Sequence, residues 1–356
     1  MGIKSLNNII VNYTKNGEKK VHLSKFKGMR FAVDTNVYLY KYLYGKSNHI
    51  DGIFFMINKF KKFNITPIFI FDGKPPNEKN AKIKSRKHIR SKLEEKLLSL
   101  KSDLDIISID KREALLEEIK NVEKKIVYVN RDVVEKTKEL FDLMGISYIN
   151  ADCEAEHYCS KLCKLSLVDG VVSEDTDTIA CGSKLVLRQF SNKEDMVMSY
   201  NLNNILYDLN INYNSFIDLC ILLGNDYNNR PRGLNPDKIL NIIREYKTIE
   251  NLLKNNIIYS LNFNYETIRD IIKLKDVKPN IIKLSQQINK KVNLDLLKDF
   301  LRINSTIDQN TYLHRISLMF KSNKKQLSYN SNKFFKKSNN SNLIKNIEYN
   351  RYNPKF

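Results

Sequence analysis

The chain has 356 residues, 42% of them hydrophobic, which is enough for a substantial core and excludes a wholly disordered polypeptide. Lys and Arg outnumber Asp and Glu by 60 to 40, and the formal charge of +20 favours a polyanionic partner such as nucleic acid over mere solubility. Abundant Asn, Ile and Lys with no Trp indicate an AT-rich coding sequence, which raises the Lys count independently of function.

Cysteine usage and the chain start indicate the compartment. The five cysteines are odd in number and include no C-x-x-C pair, so we expect reduced thiols in an intracellular protein. No run approaches the roughly 20 apolar residues of a membrane helix, and no apolar signal segment is seen. We therefore expect no membrane partner. The nucleus and a cytoplasmic viral replication site both fit as locations.

Residues 30–73 are predicted to form a β-α-β unit. One apolar run ends at Asp34, a second ends at Asp72, and a helical stretch lies between them. Runs that are apolar throughout suit strands buried on both faces of a parallel sheet.

The chain changes character after Lys74. Residues 77–131 are rich in Lys, Glu and Leu and predict two helices separated near residues 108–110. A helix over 136–144, a strand at 146–149, a helix through Cys163 and a strand at 168–173 follow. This alternation predicts an α/β fold with a mainly parallel central sheet flanked by helices. Residues 215–253 are predicted to be helical with a break at 224–236, and residues 320–356 to form a basic, disordered tail.

Seven acids stand at the ends of predicted elements, where open α/β sheets place their ligands. Three strands, one helix start and one loop carry them: Asp34, Asp72, Glu154, Glu156, Asp175, Asp177 and Asp226. An acid after a strand is often only a helix N-cap, which stabilises by about 1 kcal/mol. Asp175 and Asp177 point the same way if their segment is extended, whereas Glu154 and Glu156 can face one site only at a helix start.

The acids are more telling as a set. Neighbouring carboxylates repel by roughly 4 kcal/mol per close pair at an effective dielectric of 20, so a fold collects them with cations or with raised pKa values. All-oxygen sites select hard cations, and we expect two Mg²⁺ ions, with Mn²⁺ as a substitute. Two such ions support phosphodiester hydrolysis.

Six segments, in chain order over roughly residues 1–260, resemble the XPG/flap endonuclease family. They read MGIKSL at 1–6, FAVD at 31–34, FIFDGKPP at 69–76, DCEAE at 152–156, SEDTD at 173–177 and DLCILLGNDY at 218–227. The resemblance implies a PIN-like 5′-nuclease fold in which the seven acids bind two metal ions. It also implies that Lys79 and Arg86 polarise the scissile phosphate and that Tyr40 stacks on a base. The alternatives are solvated basic side chains and a core tyrosine.

Residues 77–131 match the family's helical arch, which a single-stranded 5′ flap threads. The arch is compact, and Lys-Pro-Pro follows F-D-G; both features favour the flap-cutting branch. Residues 233–236 match a helix–two-turn–helix hairpin that holds duplex phosphate beside K⁺. Asn235 replaces a glycine there and Asp237 a basic residue. Since Asn tolerates left-handed backbone, we expect the turn to persist, with Lys238 compensating for Asp237. The implied DNA contacts are Gly2, Tyr40, Gly233, Asn235 and Lys238.

The predicted organisation is an N-terminal nuclease region at 1–100 containing the arch at 77–131, an internal nuclease region at 140–230, a helical hairpin region at 215–300 and a tail at 320–356. The family often ends in a motif that binds a sliding clamp. Here Gln326 lies too far from Phe334-Phe335 to meet it, so a clamp partner stays an alternative to a solvated basic tail.

The predicted function is a monomeric, structure-specific 5′-flap endonuclease with 5′-3′ exonuclease activity in DNA replication and repair. It would cut DNA bearing a 5′ flap or a branch. The alternatives are a 5′-3′ exonuclease or junction-cutting enzyme of the same superfamily, an RNA-processing enzyme, and a non-catalytic structure-specific DNA-binding protein.

Overall fold

The computed structural model describes residues 2–45, 48–104, 109–280 and 292–323. They belong to a large unit, Met1–Thr306, and a short C-terminal unit, Ile307–Phe356. The large unit contains, in chain order, α1 (Leu6–Tyr13), β1 (Glu18–His22), β2 (Arg30–Asp34), α2 (Thr35–Tyr44), α3 (His49–Lys62), β3 (Thr66–Phe71), α4 (Asn80–Asp103), α5 (Ile109–Ile126), α6 (Arg131–Leu143), β4 (Tyr148–Asn150), α7 (Ala155–Lys164), β5 (Gly170–Val172), α8 (Asp177–Ala180), β6 (Leu185–Arg188), β7 (Met196–Asn201), α9 (Leu202–Leu209), α10 (Tyr213–Leu223), α11 (Pro236–Tyr246), α12 (Ile249–Lys254), α13 (Tyr265–Ile272) and α14 (Leu294–Asn304).

In the short unit, α15 spans Gln309–Asn323. The predicted tail lies outside the described residues from residue 324 onward. Among the residues with assigned positions, no helix has both the length and the apolar character needed to cross a bilayer.

The central sheet has seven strands in the order β1-β7-β6-β5-β2-β3-β4. The five strands from β6 to β4 are parallel, whereas β7 pairs antiparallel with β6 and β1 pairs antiparallel with β7. The predicted mixed fold with a mainly parallel sheet flanked by helices is therefore confirmed. Its antiparallel edge was not predicted, because β1 reads EKKVH and buries only Val21 and so lacks an apolar run. Charged side chains of this kind protect an edge strand from further pairing.

The two apolar runs form adjacent buried strands of the sheet. Strands β2 and β3 pair in parallel, with Val33 opposite Phe69, and both side chains are fully buried. Phe69 stacks on Phe141 of α6 with ring centroids 4.4 Å apart. The helical stretch between these strands is divided into two helices. Helix α2 ends at Tyr44, and Asn48 caps the start of α3, where its side chain accepts a hydrogen bond from Ile50 N at 2.9 Å.

Helices α4 and α5 occupy the predicted arch. The 24-residue α4 has no buried side chain. Ion pairs join the two helices, Lys96 to Glu118 at 2.7 Å and Lys101 to Glu123 at 2.9 Å. The α4–α5 pair contacts the rest of the chain mainly at its base, where the 3-10 turn Asn77–Lys79 leads into α4.

A buried ion pair holds the helices that follow the sheet. Asp218 of α10 is 1% exposed and accepts from Arg269 of α13 at 2.8 and 2.9 Å. Arg269 also pairs with Glu250 of α12 at 2.7 Å, and Asp218 accepts from Ile249 N at 3.0 Å. The three helices are thus fixed around one guanidinium group.

Candidate active site

Three adjacent parallel strands bring their acids to one edge of the sheet. Asp34 is the last residue of β2, Asp72 follows β3, and Asp175 and Asp177 follow β5, in the spatial order β5-β2-β3. Asp34, Asp175 and Asp177 are 2%, 6% and 5% exposed, whereas Asp72 is open to solvent. The predicted meeting of three strand ends is what the structure shows.

A turn, and not an extended segment, aligns Asp175 with Asp177. Asp177 begins α8, and its backbone N–H donates to Asp175 Oδ1 at 3.0 Å. The backbone N–H of Asp175 donates to Ser173 Oγ at 3.0 Å, and that hydroxyl donates to Asp34 Oδ2 at 2.9 Å. Ser173 thereby links Asp34, at the end of β2, to the turn that follows the neighbouring strand β5.

Glu154 and Glu156 face the site from a helix start, as the spacing requires. Glu154 is the N-cap residue of α7, and Glu156 lies in its first turn. One carboxylate oxygen each of Glu156, Asp175 and Asp177 lie within 4.8 Å of one another. The same limit joins ligand atoms of Glu154, Glu156 and His157.

Asp72 is held on both of its oxygens. Its Oδ1 accepts from Ala155 N at 2.8 Å, and its Oδ2 accepts from Asn36 Nδ2 at 2.6 Å. The first contact links β3 to the start of α7. Since Ala155 directly follows Glu154, this hydrogen bond also fixes the position of Asp72 relative to Glu154.

The cluster is electrostatically unfavourable without cations. Burial, with Asp72 nearby, raises the pKa of Asp34 well above its usual range. Burial also raises the pKa values of Glu156 and Asp177, and the Asp175 charge adds to both shifts. Glu156 Oε1 and Asp177 Oδ1 are buried without a hydrogen-bond partner. Buried, mutually repelling carboxylates with oxygens that accept no hydrogen bond fit hard divalent cations.

The two predicted basic residues both reach the acids. Lys79 Nζ contacts Glu154 Oε1 and lies 3.3 Å from Asp226 Oδ2 and 3.6 Å from Glu156 Oε1. Burial lowers the pKa of Lys79, but the carboxylates outweigh it, so the pKa is raised and the ammonium stays charged. Arg86 Nη2 lies 3.0 Å from the same Asp226 oxygen. Lys79 is 7% exposed, so it is not a solvated lysine.

Two further predicted DNA contacts are Tyr40, which is exposed to solvent, and Gly2, which packs against the acids. Tyr40 on α2 is 42% exposed, which excludes the alternative of a core tyrosine. Gly2 has φ of +91°, and a Cβ there would lie 2.1 Å from Asp175 Oδ1. Only a residue without a side chain fits that close approach.

The predicted hairpin forms, but for a different reason than expected. Gly233 is left-handed with φ of +78°, whereas Asn235 has φ of −84°, so the expectation of left-handed backbone at Asn235 is wrong. Asn235 instead caps α11 by accepting from Lys238 N at 2.8 Å. Asp237 accepts from Tyr13 Oη at 3.0 Å, which gives this acid a structural partner on α1.

Sequence reasoning missed three polar residues behind the acids, namely Asn36, His157 and Tyr227. Tyr227 Oη lies 3.2 Å from Glu154 Oε2 and 3.2 Å from His157 Nε2. Burial lowers the pKa of His157 to about 4, so the ring is neutral. The signal available in the sequence was adjacency, since His157 follows Glu156 and Tyr227 follows Asp226. Glu174, next to Asp175 in the chain, pairs instead with Lys41 at 2.8 Å.

Comparisons with known proteins match both halves of this site. The XPG N-terminal domain matches residues 1–93 and the XPG I-region matches residues 145–226. Flap endonuclease 1 of Entamoeba dispar is 32% identical over 272 residues, which cover 71% of this chain and 70% of that protein. Flap endonuclease 1-B of Xenopus laevis is 31% identical, over 72% of this chain and 69% of that protein.

Solved structures share the fold at lower identity. The catalytic core of Rad2 in complex with DNA substrate superposes with a TM-score of 0.66 at 22% identity, covering 89% of this chain and all of that one. Flap endonuclease-1 from Methanococcus jannaschii gives 0.61 at 23% identity, covering 89% of this chain and 99% of that one. Human GEN1 in complex with Holliday junction DNA gives 0.65 at 19% identity, covering 93% and 81%. From its domain matches and the extent of its identity to these relatives, the chain belongs to the XPG/flap endonuclease family.

Proposed function

We propose that this chain is a structure-specific 5′-flap endonuclease that hydrolyses DNA phosphodiesters with two Mg²⁺ ions and acts in replication and repair. Flap endonuclease 1 relatives support the flap specificity, and the DNA complexes of structural neighbours support a DNA substrate. The observation that carries the proposal is the convergence of seven acids with Lys79 and Arg86 at one sheet edge.

The residues present fit divalent cations on chemical grounds. The acids that would hold them are Asp34, Asp72, Glu154, Glu156, Asp175, Asp177 and Asp226, directly or through water. All are oxygen donors, and oxygen donors select Mg²⁺ or Mn²⁺. When bound there, such ions would supply the Lewis acidity that activates a water for in-line attack and stabilises the leaving oxygen.

The basic residues of the chain then hold the phosphate. Lys79 and Arg86 converge on Asp226, so a phosphate bound beside the acids lies within reach of both cations. A guanidinium group offers paired donors that match phosphate geometry, while the ammonium of Lys79 acts as a compact point charge. Together they stabilise negative charge that develops on the phosphoryl oxygens.

Specificity would come from the shape of the DNA. The exposed ring of Tyr40 is available to stack on a base, an interaction worth about 1–3 kcal/mol. The arch of α4 and α5 would surround a single-stranded 5′ flap. At the hairpin, Gly233, Asn235 and Lys238 would grip duplex phosphate, with K⁺ as the expected ion. Contacts to phosphate fix the position of the protein without reading sequence.

The decisive test is end-labelled 5′-flap DNA incubated with and without Mg²⁺. We expect wild-type protein to cut near the flap junction only with the ion, leaving a 5′-phosphate and a 3′-hydroxyl. Asp175→Asn should bind the flap DNA and leave it uncut. Asp132→Asn is a matched control, because this acid is exposed on α6 and pairs only with Lys136 among the contacts described. Cleavage by Asp175→Asn at the wild-type rate would overturn the metal assignment.

The same assay separates the related activities. Flap, nicked and four-way junction DNA of one sequence should be cut with a preference for the flap, and the nicked duplex should show 5′-3′ exonuclease products. Preferred cutting of the junction would favour a resolving enzyme. Binding without cleavage of any substrate would favour a non-catalytic DNA-binding protein. Light scattering in the assay buffer should give the mass of a monomer.

A further inference from the structure

A tyrosine hydroxyl joins a buried histidine to one of the acids. His157 lies in the first turn of α7 and is 4% exposed. Its Nε2 is 3.2 Å from Tyr227 Oη, and that oxygen is 3.2 Å from Glu154 Oε2. The two rings lie at 32° to each other with centroids 6.5 Å apart. The three side chains thus form a continuous line from the interior of the protein to the acidic cluster.

Donor and acceptor chemistry gives this line a direction. An ionised carboxylate only accepts, so the Tyr227 hydroxyl donates its single proton to Glu154. The phenolic oxygen can then only accept from His157, which therefore carries a proton on Nε2. His157 holds the tyrosine, and the tyrosine holds the carboxylate.

The two oxygens of Glu154 have different kinds of partner. Oε1 contacts Lys79, whose ammonium also lies 3.3 Å from Asp226 and 3.6 Å from Glu156. That cation is shared among three carboxylates and is a candidate phosphate contact. The Tyr227 proton goes to Glu154 alone. Tyr227 therefore holds Oε2, the oxygen of Glu154 that Lys79 does not contact.

A small cavity lies beside the pair. His157 and Tyr227 line a cavity of about 10 Å³ together with Asp177 and Asn225. Asp177 Oδ1 and Asn225 Nδ2 have no hydrogen-bond partner. A cavity of this size is at the lower limit for one water molecule. Shortening His157 enlarges the space beside Tyr227 and removes the donor that fixes its hydroxyl.

We propose that His157 is a positioning residue of the metal site, which acts through Tyr227 to orient Glu154 toward a divalent cation. The inference rests on the proposed function, in which Glu154 is a metal ligand. Residues that hold a metal ligand from behind typically change metal affinity by roughly 10–100-fold when removed. His157 stands one hydrogen bond further back, so a smaller effect is expected from it than from Tyr227.

Four variants separate positioning from packing. His157→Ala removes both ring and donor, whereas His157→Gln keeps an amide N–H at a similar reach to Nε2. Tyr227→Phe removes only the hydroxyl. Tyr207→Phe is the matched control for a lost hydroxyl, since Tyr207 is 85% exposed on α9.

The first measurement is calorimetric titration of the DNA-free protein with Mn²⁺, with thermal unfolding in chelator as a check on folding. We expect Tyr227→Phe to bind Mn²⁺ about tenfold more weakly. His157→Ala should bind about fivefold more weakly, the effect of one hydrogen bond. His157→Gln and Tyr207→Phe should stay close to wild type. Adding His157→Ala to Tyr227→Phe should weaken binding no further, because both act on one line.

The second measurement is the Mg²⁺ dependence of single-turnover flap cleavage. The half-saturating Mg²⁺ concentration should rise in the same order as the Mn²⁺ dissociation constants, with little change in the KM for DNA. Wild-type Mn²⁺ affinity in His157→Ala would overturn the proposal, as would a loss in His157→Gln equal to that in His157→Ala. Wild-type protein that binds Mn²⁺ yet leaves every flap uncut would instead refute the proposed function, and the Mn²⁺ affinities would still decide the role of His157.

Discussion

Replacing Lys79 with Met tests how the acids are balanced, because it removes a cation that three carboxylates share while keeping most of the side-chain volume. Its Nζ lies 3.3 Å from Asp226 Oδ2 and 3.6 Å from Glu156 Oε1. Each such contact is worth about 5 kcal/mol in Coulomb energy at an effective dielectric of 20, before the cost of desolvation. Removing one partner from a buried ion pair typically destabilises by about 3–5 kcal/mol.

We therefore expect Lys79→Met to lower the free energy of unfolding by about 3–5 kcal/mol in chelator, measured by urea denaturation. Saturating Mg²⁺ should reduce this difference in unfolding free energy between the variant and wild type. Ions that bind only the folded state stabilise it. The variant should gain more from them, because it lacks the ammonium that competes with the ions for the acids. Flap cleavage should nevertheless fall by about 100–1,000-fold, since a donor to the phosphate is gone.

Lys62→Met is the matched control for this measurement. Lys62 pairs with Asp195 at 2.6 Å but is 57% exposed, so its loss should cost below about 1 kcal/mol with or without Mg²⁺. Equal stability of Lys79→Met and wild type in chelator would refute the reasoning. A destabilisation that Mg²⁺ leaves unchanged would also refute it, because the lysine and the ions would then not share the same acids.

Three further predictions concern the helical hairpin region, the contact with DNA, and the amide that holds Asp72. Burial raises the pKa of Asp218 even beside Arg269, so Arg269→Met should raise it further and destabilise by about 3–5 kcal/mol at neutral pH. In that variant the folded state binds a proton on Asp218 more tightly than the unfolded state does, so the destabilisation should shrink as the pH falls. Urea denaturation at pH 8 and pH 5 tests this, and an equal destabilisation at both pH values would contradict it. Tyr40→Ala should weaken flap binding by about 1–3 kcal/mol while Tyr40→Phe does not, in a titration of labelled DNA. Asn36→Ala frees Asp72 Oδ2 and should raise the Mg²⁺ requirement for cleavage roughly tenfold, whereas an unchanged requirement would show that Ala155 N alone fixes Asp72.

Strands β2 and β3 and the acids that end them could be predicted because local pattern and position coincide there. The runs before Asp34 and Asp72 are apolar throughout, and a buried parallel strand is the structure that such runs favour. Strand ends in one sheet share an edge, so the convergence of the acids followed from order along the chain. The outer strand β1 had no such pattern, since its lysines face solvent and its pairing with β7 is set by tertiary contacts.

Details of the site depended on contacts between distant residues. The bond between His157 and Tyr227 spans 70 residues, and no local period predicts it. Asp175 and Asp177 share a direction through a turn that Ser173 stabilises, whereas their spacing alone aligns them only in an extended segment. Asn235 looked like a substitute for glycine but acts as an N-cap, a role that depends on where α11 begins.

The absence of buried side chains on α4 has a consequence for how the molecule unfolds. A helix pair whose apolar contacts are internal, with Leu115, Ile119 and Val122 as its buried members, draws little free energy from the sheet. Segments of this kind open at a small fraction of the global unfolding free energy. Amide hydrogens of the arch should therefore exchange with deuterium well before those of β2 and β3. The element proposed to surround a flap would then open at a lower free energy than β2 and β3, and it could order again around a single strand.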